Sequence, residues 1–564
     1  MNPQDEPKVI EESNTLDKLR YPTIQLDSAG LPLIPQPTTS PYDPLNYPNW
    51  FKYIILALVS LLAFSATLNV AIINPAVVPL SAEFSIAHVT GTYQTTIAIG
   101  TNALGPLLFT PLANIYGRRP IYLISVLIGF ASALGSACAK SYGTLILARA
   151  ILGFGSSAPL ALGAGTVVDL FYVHQRGKAM GVFTLMMTNG GHLAPIVGGY
   201  VARDRGWRWC FWTGAILNGI LFVICLFLMP ETLFDRPRDT RMRAAISDPL
   251  TSESNDDDEK PTVQMVDKSS KPVSISGQGR PHYVPYQPPP LTLNTYLNRL
   301  WFWDLERPLT RKLKPTDFAI KPLSMLKYPS VVFPALYYAV TYGFASIEPA
   351  LTVATIFTDL YGFDTVRNGL ANGLTLLIGA SLGELFSGPV TDWMMQKARA
   401  RALRRARGKN VGEGEGEGEG DVDEEATIPA EVRLQGIWTG AITVPVGLLI
   451  YGVTVHYKTT FIAPCIGMTI ACFGIQIVTS VLYSYSCGDC YRERSNDISQ
   501  CFNFFRQGFG LTLGFYSIPF GEKVGYQWSF TFFLLLCVVT FLPIVTLMFY
   551  GEKWRKRLGQ PKAY

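Results

Sequence analysis

Apolar runs of bilayer-crossing length alternate with short polar turns along most of this chain. They occupy 51–75, 90–113, 120–139, 143–168, 178–202 and 207–229, and then 330–358, 368–394, 434–455, 460–484, 501–520 and 526–549. Each is close to the roughly 20 residues that a helix needs to cross a hydrocarbon core. Lipid offers backbone N–H and C=O groups no partner, so these runs must be helices. The pattern predicts an all-α membrane protein of twelve transmembrane helices in two pseudo-symmetric six-helix bundles, an N-terminal one over 51–230 and a C-terminal one over 327–550.

Internal repetition supports that division. Between the second and third runs lies Gly105-Pro-Leu-Leu-Phe-Thr-Pro111-Leu-Ala-Asn114-Ile-Tyr-Gly117-Arg118-Arg119, a tight basic turn. Gly383, Pro389 and Asp392 answer Gly105, Pro111 and Asn114 at the same spacing, 278 positions on. Asp169-Leu-Phe-Tyr is echoed by Asp489-Cys-Tyr at an offset of 320, and Gly206-Trp-Arg-Trp-Cys-Phe by Gly525-Tyr-Gln-Trp-Ser-Phe at 319. Repeats of this kind mark a duplicated helical unit. The second half has gained 41 residues between the markers, and 396–431 is where they fit: an Arg-rich run, Gly-Glu repeats and Asp421–Glu425. That composition cannot bury a core and predicts a disordered insertion, with lipid headgroups as the nearest partner of its Arg run.

The flanks read differently. Residues 1–50 are acidic and proline-rich, which predicts a disordered tail, with Tyr47-Pro-Asn-Trp50 at the headgroup level. Residues 231–326 form a connector: an acidic Ser/Thr-rich part over Ser247–Lys271, a polyproline-like Pro285–Pro290, and an aromatic and leucine-rich stretch, Leu293–Trp303, expected to lie as a helix on the membrane surface. A short tail, 551–564, closes the chain. No cleavable signal sequence is expected, so the first membrane helix would act as the targeting signal.

Composition agrees: 48% of residues are hydrophobic, 16% charged, and the mean hydropathy is +0.22. The net charge of +5 does not point to nucleic acid, because the basic residues gather in turns: Arg118-Arg119, Arg176 and Lys178, Arg399–Lys409, Arg492 and Arg494, and Lys553-Trp-Arg-Lys-Arg557. Along a twelve-helix path these fall on the side that carries both termini, so the positive-inside rule predicts cytosolic ends. The nine cysteines form no disulfide framework, and Cys487-Gly-Asp-Cys490 lacks the second pair of a zinc site. No metal or other cofactor is implied, and no P-loop motif is present, so an ion gradient rather than a nucleotide would supply energy. Paired carboxylates, metal spacing and nucleophile constellations are missing at any one membrane depth, which argues against an enzyme.

Ionisable and amide residues inside the apolar runs are the functional candidates, since lipid penalises them unless they face protein or water. Arg149 in the fourth run is either functional or tied to backbone carbonyls. His192, in the small-residue fifth run Gly181–Gly199 with Pro195, is either a packed residue or a proton carrier. Glu348 and Glu384, in the seventh and eighth runs, could take up and release a proton or could pack as neutral hydrogen-bonded residues. Arg506 in the eleventh run is a further charge. Glu348 precedes Pro349, where a kink toward a cavity is expected. Asn69, Asn102, Asn189, Tyr338, Tyr342, Gln476 and Tyr483 are the expected cavity lining, together with Arg149 and Glu348.

With these residues quoted, the chain resembles the major facilitator superfamily, and within it the twelve-helix fungal branch of drug:proton antiporters and polyamine or organic-cation transporters. The carrier of the resemblance is Ala113-Asn114-Ile-Tyr-Gly117-Arg118-Arg119, which meets the family's Gly-x-x-x-Asp-Arg-x-Gly-Arg-Arg pattern. Arg149 with Gly153 and Gly155 is similar to the helix-four motif linked to proton transfer. The fifth run is similar to the antiporter motif, and the Pro230-Glu-Thr that ends the sixth is frequent in this branch. Asn114 replaces the usual Asp, Asn69 stands at an acidic position of the first helix, and Ala194 replaces a Gly. The resemblance implies that Arg118 pairs with Asp169 at a cytosolic gate completed by Asn114, Gly117, Arg119, Asp392 and Asp489.

These readings predict a monomeric secondary active transporter that moves a small organic molecule, such as a drug, toxin or secondary metabolite, by proton antiport. The two bundles would rock about a site near the bilayer midplane. Uptake or organelle import of an organic cation or acid by the same fold stays open, as does a non-transporting membrane sensor. The plasma membrane is the default address, with vacuolar and peroxisomal membranes as the alternatives.

Overall fold

The computed structural model describes residues 23–26, 33–38, 40, 42–234, 282–285, 293–300, 318, 320–410, 430–491, 494–559 and 561. Twelve long helices run through the described residues. The first six are α1 (Asn49–Phe84, broken by a 3-10 turn at Asn74–Ala76), α2 (His88–Tyr116), α3 (Arg118–Ala137), α4 (Tyr142–Leu170), α5 (Val173–Arg205) and α6 (Arg208–Leu228). The second six begin with α7 (Pro329–Tyr361, with a π-helical turn at Gly343–Ile347) and α8 (Thr365–Asn410). Then come α9 (Trp438–His456, led in by a 3-10 turn at Ala430–Ile437), α10 (Ile462–Tyr483, ending in a π-helical turn at Ser484–Cys490), α11 (Ser495–Val524) and α12 (Tyr526–Leu558).

Ten of the described helices are long and apolar enough to cross a membrane. The exceptions, α5 and α11, carry the glycines and polar side chains of the contact between bundles, which lowers their hydropathy without removing them from the bundle. Each half has its own core. One buried cluster runs from Met325 to Leu547, with Ile99 of α2 reaching into it; two others, Tyr47 to Met229 and Leu68 to Phe211, fill the first half. The outward faces stay apolar, as Leu147, Leu385 and Phe549 show by being 63%, 69% and 75% exposed. A face of that kind belongs against lipid tails rather than water. The architecture is an all-helical, multi-span membrane fold.

Several boundaries differ from those read in the sequence. Part of the stretch assigned to a disordered tail is packed: Leu33 and Leu45 are buried against Tyr172, whose hydroxyl donates to the Leu45 carbonyl at 3.2 Å. Asp43 caps the following 3-10 turn by accepting from Leu45 N at 3.0 Å. A few leucines and tyrosines among prolines are enough to anchor such a strap. It reaches β1 (Thr23–Leu26), which pairs in parallel with β2 of the connector (His282–Pro285). The connector helix Leu293–Leu300 packs its Tyr296 ring 5.6 Å from Phe51. At the other predicted insertion, α8 stays helical through Asn410, because the Arg- and Ala-rich run has high helix propensity. The chain is again packed by Ala430 and Glu431, both buried. Ser247–Lys271, the polyproline stretch beyond Pro285, the Gly-Glu repeats and Asp421–Glu425 lie outside the described residues.

Two seams join the halves. Along α5 and α8 the contact is backbone to backbone: a Cβ on Gly369 would sit 2.2 Å from the Pro195 carbonyl oxygen. Small residues allow such an approach where helices have no hydrophobic drive to associate. Along α2 and α11, the rings of Tyr93 and Phe515 meet at a tilt with centroids 5.1 Å apart, and Gln507 Nε2 donates to Asn102 Oδ1 at 3.2 Å. Gly369→Leu should therefore pry the α5–α8 seam apart. With exposed Cys138 replaced, a thiol introduced at buried Asn372 should gain reactivity toward a water-soluble maleimide several-fold in the Gly369→Leu protein; unchanged labelling would count against a seam that tight.

Candidate functional site

At the end of the bundle that carries the basic turns, one carboxylate organises three elements. Gly117 ends α2 with φ +105°, a conformation that side chains resist, and α3 begins at the next residue. The first N–H groups of a helix lack intrahelical partners. Glu231, just past α6, supplies them: Oε1 accepts from Arg118 N at 3.0 Å and Oε2 from Arg119 N at 3.1 Å. Glu231 Oε1 also takes Leu233 N at 2.7 Å, which folds the chain back after α6. The Arg118 side chain turns the other way, to Asp169 Oδ2 at 2.8 Å and to Thr166 Oγ1 at 3.2 Å, both on α4. Arg119 gives Nη2 to the Leu226 carbonyl at 2.6 Å and Nη1 to that of Leu300 in the connector helix. Asn114 is exposed beside this turn.

The second half builds a related clasp with the charges exchanged. Here the acid, Glu431, precedes α9 and the base, Arg555, comes from α12. Arg555 Nε and Nη2 reach Glu431 Oε1 and Oε2 at 3.0 and 2.7 Å, a bidentate pair. Arg433 Nε meets Asp489 Oδ2 at 2.6 Å, the counterpart of Arg118 with Asp169. The side chain of Asp392 lies outside the described residues. Glu431 and Arg433 were not singled out from sequence, and Glu231 and Arg555 were quoted only within Pro230-Glu-Thr and the basic tail, with no structural role assigned.

Deeper in the first half, Arg149 is fully buried. α1 breaks after Ala71, leaving carbonyls without helical partners, and Arg149 takes them: Nη1 to Asn69 O at 2.8 Å and Nη2 to Val70 O at 2.6 Å. Nε reaches Gln94 O at 3.3 Å on α2, and the guanidinium lies 5.4 Å from the Phe211 ring centroid. A cation at a helix C-terminus also suits the helix dipole. Of the two readings open from sequence, the tie to carbonyls is the geometry seen. Asn69 was expected in the cavity between the halves, but its amide faces into the first bundle. Its Nδ2 donates to Ser65 O at 2.9 Å, and its Oδ1 lies against Gly214 of α6.

Three candidates meet along the α5–α8 seam and the nearby α7. Thr184 donates to Glu384 Oε1 at 3.0 Å, and Asn189 Nδ2 to Ser381 Oγ at 3.4 Å. His192 Nε2 lies 3.5 Å from Ser346 Oγ, which the π-helical turn of α7 presents to it. Gln476 is buried against Gly383, between α10 and α8.

Glu348, just past the π-helical turn that holds Ser346, faces into the second bundle, toward Tyr451 of α9. It is 1% exposed. Thr352 donates to its Oε1 at 3.0 Å, while Oε2 is buried without a hydrogen-bond partner. The neutral phenols of Tyr451 of α9, Tyr516 of α11 and Tyr526 of α12 are its neighbours. The kink expected at Pro349 is a π-helical turn just before it, a feature that recurs at functional sites.

Tyr338, Tyr342 and Tyr483 do come together. The Tyr338 ring is 5.6 Å from Tyr342 and 5.7 Å from Tyr483, with Phe502 at 5.9 Å. Arg506 of α11, left out of the expected lining, completes the group with its guanidinium 4.7 Å above the Tyr342 ring.

Residues 59–515 match the sequence profile of the Major Facilitator Superfamily. The chain is 28% identical over 517 residues to the MFS transporter fsa7 of Fusarium sp. (strain FN080326), covering 91% of this chain and 87% of that one. It is 25% identical over 525 residues to the efflux pump radE of Floropilus chiversii, covering 91% and 83%. Among solved structures, the proton:xylose symporter XylE superimposes with a TM-score of 0.55 at 15% identity, over 89% of this chain and 97% of that one, a likeness of fold.

Removing the Glu231 carboxylate leaves two buried N–H groups at the start of α3 without acceptors. Glu231→Ala should lower stability by about 1–3 kcal/mol, read as an earlier thermal unfolding transition in detergent, and an unchanged transition would mean that the clasp carries no weight.

Proposed function

The chain belongs to the major facilitator superfamily and is a membrane-embedded secondary transporter for a small molecule rather than an enzyme; from that premise we propose that it exports an organic molecule, a toxin or secondary metabolite, in exchange for protons. The naming of radE as an efflux pump supports the direction of transport. The basic turns support a topology with both ends of the chain in the cytosol, and the plasma membrane is the membrane across which export removes a toxin. One chain holds both bundles, so the unit of transport is a monomer.

Proton exchange rests above all on Glu348. It is enclosed by apolar and tyrosine side chains, with one oxygen free of hydrogen bonds, at a break in α7 next to the contact between the halves. A carboxyl held this way can alternate between protonated and ionised forms as the halves move and its surroundings change. His192 and Glu384 stand at the seam where such movement would be felt, and Arg149 braces α1 against α4. At the basic end, the Arg118–Asp169 and Arg433–Asp489 pairs form the cytosolic gate together with Asn114, Gly117, Arg119 and Asp392. A buried ion pair loses strength when water enters, which lets a gate of this kind open.

Glu348→Gln should abolish uptake driven by a pH gradient into inverted vesicles while leaving gradient-free exchange of internal for external substrate in place. A variant that accumulates substrate as the parent does under the same gradient would take Glu348 out of the coupling step.

A further inference from the structure

Arg506 differs from the other buried or partly buried arginines described above. Arg118, Arg433 and Arg555 each meet a carboxylate, and Arg149 donates to three carbonyls. No described carboxylate forms an ion pair with Arg506. Its Nη2 donates to Asn503 Oδ1 at 2.9 Å, one turn back on α11, and its Nε is buried with no hydrogen-bond partner. The Tyr338 hydroxyl is within its hydrogen-bonding reach, and Tyr342 and Tyr483 are its other electrostatic neighbours.

A guanidinium with a buried, unpartnered nitrogen and no counter-charge is costly unless something else meets it, and cation–π contact with Tyr342 offsets only part of that cost. What it lacks is an anion. A guanidinium presents planar, paired donors that fit a carboxylate in bidentate fashion, and phenolic hydroxyls can donate to the same oxygens. The aromatic faces of Tyr338, Tyr342, Tyr483 and Phe502 supply an apolar wall for a ring or chain attached to that carboxylate. Arg506, Tyr342 and Tyr483 are only partly covered, so the group is open on one side. The position is also apt: Gln507, the next residue, bonds Asn102 of the opposite bundle, which sets Arg506 at the level where the halves meet. Glu384, the acid at the seam, is engaged by Thr184 at the α5–α8 contact and forms no ion pair with Arg506.

We propose that Arg506, with Tyr338, Tyr342 and Tyr483, is the subsite for a carboxylate or similar planar oxyanion of the transported molecule, so that the carried solute is an aromatic or amphipathic organic anion. This rests on the carrier reading above, and it favours an anion over the polyamines and organic cations that the sequence resemblance also allowed.

Three probes of one shape and different charge test it: 2-naphthoate, 2-naphthamide and 2-naphthylmethylamine, titrated into the purified full-length chain in nanodiscs at neutral pH. The naphthoate should bind at least about tenfold more tightly than the amide, with the amine weakest. Arg506→Gln should bring the naphthoate to the level of the amide while leaving the amide nearly unchanged, and Arg506→Lys, which keeps the charge but not the planar fork, should retain part of the preference. A cooperative thermal transition in each variant excludes unfolding as the cause; should Arg506→Gln fail to fold, Arg506→Lys alone decides by its partial loss. Equal binding of the three probes, preference for the amine, no binding of any, or an undiminished preference in both variants would overturn the assignment. Vesicle flux separates this from the carrier reading. Charge preference in binding with no flux would leave the anion subsite standing and remove the carrier, and flux without charge preference would do the reverse.

Discussion

Every polar backbone group inside a bilayer needs a partner within the protein, and the placement of ionisable side chains in this molecule follows from that need. Where helices are continuous they satisfy themselves, and the side chains along them are apolar. Where they break, charge appears. The break in α1 after Ala71 frees carbonyls, and Arg149 occupies them. The start of α3 after Gly117 frees N–H groups, and Glu231 occupies those. Both residues are thereby held in one conformation, because moving either would strand several buried groups at once, each costing on the order of 1–3 kcal/mol.

The same need explains why the duplicated halves are alike in layout and unlike in chemistry. Each half closes its basic end with an arginine at the head of its third helix and an aspartate at the end of its fourth: Arg118 with Asp169, and Arg433 with Asp489. Each also ties its last helix to the head of its third. In the first half the tie is a carboxylate on backbone N–H groups; in the second it is the ion pair Arg555–Glu431. Only the geometry between the elements is shared, so the charge can sit on either side. Backbone N–H groups cannot be titrated, whereas an ion pair can be weakened by water and salt.

Much of this was legible in the sequence. Run lengths yielded the helices, and the Gly–Pro–Asn/Asp echoes pointed to the two halves. Facing was harder to read. Asn69, expected between the halves, points toward α6, and Glu348 points into its own bundle. Both lie next to a break, the 3-10 turn of α1 and the π-helical turn of α7, and there the regular advance of about 100° per residue no longer holds. The tyrosines did come together, although Tyr342 and Tyr483 each directly precede a π-helical turn. Glu231 was quoted within Pro230-Glu-Thr without its capping role, because capping depends on a partner more than a hundred positions away and no local pattern carries that information.

A contrast between two arginines shows where freedom remains in the structure. Arg149, fully buried, and Arg506, partly covered, are both cations within an apolar helix run, and composition alone would treat them alike. Arg149 is surrounded by carbonyls, so its field is already answered and it acts as a brace between α4, α1 and α2. Arg506 is answered by ring faces and by one amide on its own helix, and one of its nitrogens is left without a partner. Glu348, likewise, keeps one oxygen unpaired. A polar group left short inside a protein is a cost that persists only if a ligand, a proton or water meets it at some stage. Arg506 and Glu348 both lie in the second half, on α11 and α7. Both helices also touch the first half, through Gln507 to Asn102 and through Ser346 to His192. A shift of one bundle against the other therefore reaches both unsatisfied groups through their immediate neighbours, which is the physical requirement for coupling what is bound to how the halves are arranged.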